Sequence, residues 1–159
     1  RRHTAKEALL MMQSFRKRFP ESTVSTDVIV GYPGEDADAH KATVRFIELA
    51  QPDIVNVTRF SPRPGTSAAD MAGAPHGRAV KARSRELASL RKTIAEENNI
   101  RLSGKIIEVL ATEIGKGVTT MARTQGYKLT IILGRLPLGK RYVVKIDRVN
   151  SINLFGKIE

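Results

Sequence analysis

Residues 25–35 read STDVIVGYPGE. Thr26 to Val30 is a short, mostly β-branched apolar run, as a strand prefers, and Gly31-Tyr32-Pro33-Gly34 stops it abruptly. Glu35, Asp36 and Asp38 then open a segment of helical spacing, with acidic groups near the positive end of the helix dipole. One helix length later a second strand-like run appears, Asp53-Ile54-Val55-Asn56-Val57-Thr58-Arg59-Phe60. Strand, helix and strand at this spacing predict a βαβ unit with a right-handed crossover. Ligands in such units bind beyond the C-terminal ends of the strands, which is where residues 31–35 and 60–66 would lie side by side. Spacing alone also fits two ordinary loops of an α/β protein.

Composition narrows the function classes. The chain has 159 residues, enough for one ordinary domain or two small ones. It opens on Arg1-Arg2-His3 without a Met, which reads as a piece of a longer polypeptide. No stretch is long and apolar enough for a membrane span and there is no signal-peptide pattern, so no membrane partner is expected and the default compartment is the cytoplasm. With no cysteine and only His3, His40 and His76, disulfides and thiolate metal ligation are excluded for this sequence and no metal ligand is assigned. Lys and Arg number 27 against 16 Asp and Glu, a formal charge of +11. Such an excess points to a polyanionic partner, nucleic acid before lipid, although a basic face also serves solubility. Residues 21–75 hold four basic and eight acidic side chains, whereas residues 104–159 hold ten basic and four acidic. The positive charge therefore flanks an acidic βαβ unit.

Around that unit the remaining elements follow from local signals. Thr4-x-x-Glu7 is a capping box that starts a helix with Leu9, Met12, Phe15 and Phe19 on one side, ended by Pro20. Strand 24–30 is followed by a helix over 36–50, whose expected buried face is Ala39, Thr43, Phe46, Ile47 and Ala50, and then by strand 54–60. Ser61-Pro62-Arg63-Pro64-Gly65-Thr66 reads as a stiff loop, because its prolines fix φ and Gly65 permits a sharp turn. Residues 67–77 read as linker, and a long basic helix over 78–102 carries an apolar stripe of Val80, Leu87, Leu90 and Ile94.

From Gly104 the period changes to that of strands. Residues 106–112, 118–124, 129–133, 142–146 and 152–158 are five short candidates separated by glycine or polar turns. Together they predict a small closed β-barrel of the oligonucleotide-binding kind. Arg123, Tyr127, Lys128, Lys140, Arg141 and Arg148 interleave positive charge with an aromatic ring, a combination that can hold phosphates and stack a base.

Three strings in order carry a resemblance: TDVIVGYPGE, PDIVNVTRFSPRPGTSAADM, and VLATEIGKGVTTMARTQGYK with LGKRYVVKI. The series resembles the C-terminal portion of the radical S-adenosylmethionine tRNA methylthiotransferases, and its wording is most similar to the archaeal and eukaryotic branch acting on N6-threonylcarbamoyladenosine. The resemblance implies an α/β partial (β/α) barrel fragment over residues 1–102, including a linker helix, and an RNA-binding TRAM β-barrel over 103–159. It implies an enzyme that places a methylthio group on the modified adenosine next to the anticodon, using S-adenosylmethionine and two 4Fe–4S clusters. The expected partners are tRNA and the missing N-terminal cluster domains of the same polypeptide. An iron–sulfur cluster needs thiolates, so this chain is expected to ligate none, to carry no catalytic residue of its own and to be inactive alone.

Residue by residue, the adenine-contacting strand of radical S-adenosylmethionine enzymes resembles G-x-I-x-G-x-x-E. Ile29 and Gly31 match its core; Asp27 replaces the first glycine and the glutamate falls one place late, at Glu35, which can instead cap a helix. Asn56, Arg59 and Ser61 end the next strand, where the family lines the cofactor cleft. Cofactor contact is thus expected at Ile29, Gly31, Asn56, Arg59 and Ser61, and RNA contact at Arg123, Tyr127, Lys128, Lys140 and Arg141. The rival readings are a stand-alone RNA-binding protein and a fragment of the sister ribosomal-protein methylthiotransferase.

Overall fold

The computed structural model describes residues 3–159; Arg1 and Arg2 of the basic opening lie outside the described residues. In chain order the elements are α1 (Ala5–Arg18), β1 (Ser25–Val30), α2 (Ala37–Ala50), β2 (Ile54–Arg59), α3 (Gly77–Ile100), β3 (Ile106–Ile114), β4 (Thr119–Thr124), β5 (Leu129–Leu133), β6 (Arg141–Val149) and β7 (Leu154–Ile158). They divide into two compact units, one built from residues up to Gln13 with Val24–Lys92, the other from Ser14–Thr23 with Thr93–Glu159.

The first unit is the βαβ motif with its helices. The capping box of α1 is formed in both directions: Glu7 N–H donates to Thr4 Oγ1 at 3.2 Å, and Thr4 N–H donates to Glu7 Oε2 at 2.7 Å. These bonds from Thr4, its backbone N–H first, hold the Glu7 carboxyl below its usual pKa. Along the expected apolar side of α1, Leu9 and Met12 are half-buried; Phe15 and Phe19, which belong to the second unit, are exposed and packed on each other with centroids 5.1 Å apart.

β1 and β2 pair in parallel, from Ser25 opposite Ile54 to Val30 opposite Arg59. Asp36 is the N-cap of α2 and accepts from Ala39 N–H at 2.8 Å, and Gln51 ends the helix in the left-handed region at φ 47°. The buried positions of α2 are His40, Ile47 and Ala50. The expected Ala39 is exposed, and Thr43 and Phe46 are half-buried. His40 takes the inner position because its Nε2 lies 2.8 Å from Glu86 Oε2 on α3. Val80, Leu87 and Leu90 of α3 are buried or half-buried, as its stripe predicts.

The second unit is a closed five-stranded barrel in the order β3-β4-β5-β7-β6, with β6 returning to β3. All its pairings are antiparallel except β5 with β7. Val109, Ala122, Ile132, Val144, Ile146 and Leu154 fill it, one or two from each strand, and Leu102, Ile107, Leu136, Tyr142 and Val149 pack around them. Buried Thr120 is satisfied: its hydroxyl donates to Gly134 O at 2.8 Å and accepts from Leu136 N–H at 2.9 Å. β3 and β6 extend beyond the expected ends, and β7 begins two residues later, at Leu154. Among the described residues no helix is long and apolar enough to cross a membrane.

Candidate nucleic-acid interface and strand-end cleft

The outer face of the barrel presents one row of residues in register across three strands. Leu110 on β3 stands opposite Arg123 on β4 and opposite Arg141 on β6. An apolar side chain, 39% exposed, is thus flanked by two guanidinium groups. The Arg123 guanidinium lies over the Tyr127 ring, 4.8 Å from its centroid, a cation–π contact. Arg141 Nη1 donates to Glu108 Oε1 at 2.6 Å in an exposed pair.

Tyr127 is aimed by the turn that joins β4 to β5. Tyr127 N–H donates to Thr124 O at 2.9 Å, Thr124 N–H to Lys128 O at 3.1 Å, and Lys128 N–H to Thr124 Oγ1 at 3.0 Å. This closure holds Tyr127 at φ 69°, a conformation that costs an L-residue about 1–2 kcal/mol. Gly126 O accepts from both the N–H and the hydroxyl of Thr23, in the same unit, at 3.0 and 2.5 Å. A Cβ on Gly126 would fall 1.8 Å from Glu21 O, so only glycine fits. The Tyr127 ring is left 71% exposed.

Arg123, Tyr127 and Arg141 line one cleft of about 350 Å³, together with Glu108, Leu110 and Glu113. Lys128 and Lys140 lie outside its lining. Lys128 is half-buried and donates from Nζ to Asn99 Oδ1 at 2.9 Å, while Asn99 Nδ2 donates to Asn150 O at 2.8 Å. Lys140 is exposed in the turn before β6, where its carbonyl accepts from Ala111 N–H at 2.9 Å. Arg148 stacks over Phe155 at 4.0 Å. The sequence pattern does not single out Glu108, Leu110 and Glu113. Glu108 and Leu110 share an outer face by strand alternation, a signal already present in the sequence; Glu113 carries none.

In the first unit, paired positions share a face of the sheet. Asp27 and Ile29 on β1 therefore stand with Asn56 and Thr58 on β2, and this face is exposed. Asn56 Nδ2 donates to Asp27 Oδ1 at 2.7 Å across the strands. Arg59 belongs to the opposite face, where Nε and Nη2 donate to Ser84 Oγ of α3 at 3.2 and 3.1 Å. The expected cofactor residues are thus split: Ile29 and Asn56 share a face, Arg59 turns from it, and Ser61 is exposed beyond β2.

Gly31 is required twice. Its φ is 83°, and an added Cβ would meet Val80 Cγ2 at 2.8 Å. Its N–H donates to Glu35 Oε2, the same oxygen that lies 3.2 Å from Arg83 Nη1; Arg83 also donates to Glu35 O at 2.9 Å. Glu35 therefore ties the loop back onto β1 and α3, while capping of α2 falls to Asp36. The Gly34 N–H reaches Gly73 O at 2.9 Å, and the Tyr32 and Phe60 rings meet edge to face at 5.3 Å. Arg63-Pro64-Gly65-Thr66 closes as a turn, Thr66 N–H on Arg63 O at 3.2 Å, with Gly65 at φ 77°.

The sequence similarities fall on both units. Residues 101–158 match the TRAM domain family. The chain is 40% identical to the probable threonylcarbamoyladenosine tRNA methylthiotransferase of Pyrococcus abyssi, over 99% of this chain and 37% of that protein. It is 37% identical to the protein of the same name from Archaeoglobus fulgidus, over 99% and 37%. With the tRNA-2-methylthio-N(6)-dimethylallyladenosine synthase of Sulfurihydrogenibium sp. it shares 36% identity over 99% and 36%. The chain thus spans little more than a third of the length of these curated relatives. Residues 101–158 are a TRAM domain, and the chain as a whole is homologous to a C-terminal stretch of proteins named tRNA methylthiotransferases.

Proposed function

We propose that this chain is the tRNA-gripping part of a methylthiotransferase that converts N6-threonylcarbamoyladenosine, next to the anticodon, to its 2-methylthio derivative in the cytoplasm. The observation that carries the reading is the row Arg123–Leu110–Arg141 with the exposed Tyr127 beside it, on a barrel matching the TRAM family. Guanidinium groups hold phosphates and an exposed ring takes an unstacked base, the two means by which proteins grip single-stranded RNA. Higher identity to the threonylcarbamoyladenosine enzymes, 37–40%, than to the dimethylallyladenosine synthase, 36%, supports that branch.

In this reading residues 103–159 are the RNA-binding domain. Residues 1–102 are the closing part of a partial (β/α) barrel whose inner face is Asp27, Ile29, Asn56 and Thr58. S-adenosylmethionine, when bound to the whole enzyme, supplies the radical and the methyl group. The open face fits its adenosyl part: Ile29, 51% exposed, offers an apolar platform, and the Asp27–Asn56 pair offers polar atoms beside it. Gly31 keeps the backbone at the end of β1 free of a side chain. Arg59 and Ser61 take lesser parts, Arg59 because Ser84 holds it on the helix side. The iron–sulfur clusters belong to the missing N-terminal domains, since this sequence has no thiolate to offer.

Fluorescence anisotropy with a labelled tRNA anticodon stem-loop tests the RNA reading. Expected are saturable binding at low salt and loss of most of that affinity in an Arg123→Ala/Tyr127→Ala double variant that still melts as the parent does. Failure of the parent chain to bind at low salt, or unchanged binding by the folded double variant, overturns it.

A further inference from the structure

Phosphate binding leaves part of the cleft unexplained. Two carboxylates, Glu108 and Glu113, stand among its lining beside Arg123 and Arg141. A surface serving only to hold phosphates would gain nothing from them, because like charges repel. Glu108 is accounted for by Arg141, at 2.6 Å. Glu113 has neither an ion pair nor a side-chain hydrogen bond among the described residues.

How Glu113 comes to face the cleft bears on its role. Along β3, Val109 and Ala111 are buried in the barrel and Leu110 faces out. Alternation would send residue 113 inward with 109 and 111. The ladder with β4 shifts register between Ala111, opposite Ala122, and Glu113, opposite Met121, so that Thr112 is the extra residue of a β-bulge. The bulge turns the Glu113 carboxylate to the outer face, where it lines the cleft with Arg123 and Tyr127. Bulges re-aim side chains in this way beside binding sites.

We infer that this cleft takes a single unstacked guanine base and that Glu113 reads its Watson–Crick edge. The inference rests on the proposed RNA-binding role of the barrel. A volume of about 350 Å³ admits one nucleoside, and the Arg123–Tyr127 pair is a stacking platform for any base. A carboxylate has two acceptor oxygens and no donor, so it selects an edge with two adjacent donors. Guanine presents N1–H and N2–H there. Adenine and cytosine offer one amino group beside an acceptor, and uracil one N–H between two carbonyls. Reading of unstacked bases on that edge is the usual mode of single-stranded RNA recognition.

Binding of this 159-residue chain to labelled single-stranded hexanucleotides tests the inference. A uridine hexamer would be compared with hexamers carrying one central guanosine, adenosine or cytidine. A further hexamer with inosine, which lacks the N2 amino group, isolates the second donor. The guanosine oligomer should bind roughly tenfold or more tighter than the uridine oligomer, with inosine between them. Glu113→Gln should remove that preference, so that the guanosine and uridine oligomers bind the variant within about twofold of each other. Salt-dependent binding of every hexamer without base preference overturns the inference and leaves the RNA-binding role standing. So does a Glu113→Gln variant that binds all hexamers more tightly by one factor, which would make Glu113 only a repelling charge. Absence of binding to any hexamer and to tRNA overturns both. Melting of the variant beside the parent checks that an exposed isosteric change has left the fold intact.

Discussion

Tyr127 combines a backbone conformation that disfavours it with a side chain that gains little from burial. At φ 69° glycine is the easy occupant, yet the position holds a large ring left mostly in water. In the proposed role this ring serves RNA rather than the barrel core. Tyr127→Gly should therefore melt within a few degrees of the parent, since relief of about 1–2 kcal/mol offsets the added chain freedom. The same variant should lose about 1–3 kcal/mol of RNA affinity. A large fall in melting temperature would show that the ring supports the barrel. Gly126 makes the complementary case. Gly126→Ala puts a methyl into the space of Glu21 O and should cost about 1–3 kcal/mol of stability. Because Thr23 holds this turn through the same residue, RNA binding should fall with stability, which thermal melts beside anisotropy would reveal.

The elements differ in how completely they are covered. β1 and β2 form a two-stranded sheet with one face exposed, carrying Ile29 and Ile54, whereas every strand of the barrel is paired on both sides. Two strands alone are marginal in water, and closure removes free edges. Hydrogen exchange should thus release residues 24–60 well before residues 106–158; equal protection would mean that another surface covers the open sheet. At the start of α1 the capping box makes stability depend on pH. The Glu7 pKa is depressed on folding, so its contribution is complete above the unfolded value and is lost as pH falls through the lower folded value. In an NMR titration Glu7 should show a midpoint below that of an unstructured glutamate, and Thr4→Ala should raise it.

These elements were legible in sequence because their causes are local: a Thr-x-x-Glu box, a β-branched run stopped by Gly-Tyr-Pro-Gly, glycine turns between short strands. The contacts that set the sites are not local. Glu35 is placed in sequence to cap a helix, but Arg83, 48 residues away, holds it instead. His40 gave no periodic signal because Glu86, rather than an apolar neighbour, draws it inward. The outward turn of Glu113 depends on one extra residue in a ladder, which no spacing rule announces. Lys128 is expected at RNA from its place in a basic, aromatic-bearing turn, yet its amine is tied to Asn99.

Across the whole molecule the charge is +11, with ten basic and four acidic residues after Gly104, so the proposed association with tRNA should be steeply salt-dependent. Each phosphate that a cation neutralises contributes roughly 0.7–0.9 to the slope of log K against log salt. Three of the four basic positions expected at RNA, Lys128, Lys140 and Arg141, should then separate. Lys140, exposed and outside the cleft, should lose about one phosphate contact as alanine, with a shallower slope and an unchanged melting temperature. Lys128→Ala should leave the slope alone and lower the melting temperature, because it breaks the Lys128–Asn99–Asn150 chain. Arg141→Ala should weaken binding more than Lys140→Ala, since it removes a cation and also leaves the Glu108 carboxylate bare beside the RNA. Arg141→Ala/Glu108→Ala should recover part of that loss. An exposed ion pair adds only about 0–1 kcal/mol to stability, so neither variant should melt early. If Lys128→Ala flattens the salt slope at constant melting temperature, its amine leaves Asn99 for phosphate, and the RNA track runs past the end of α3.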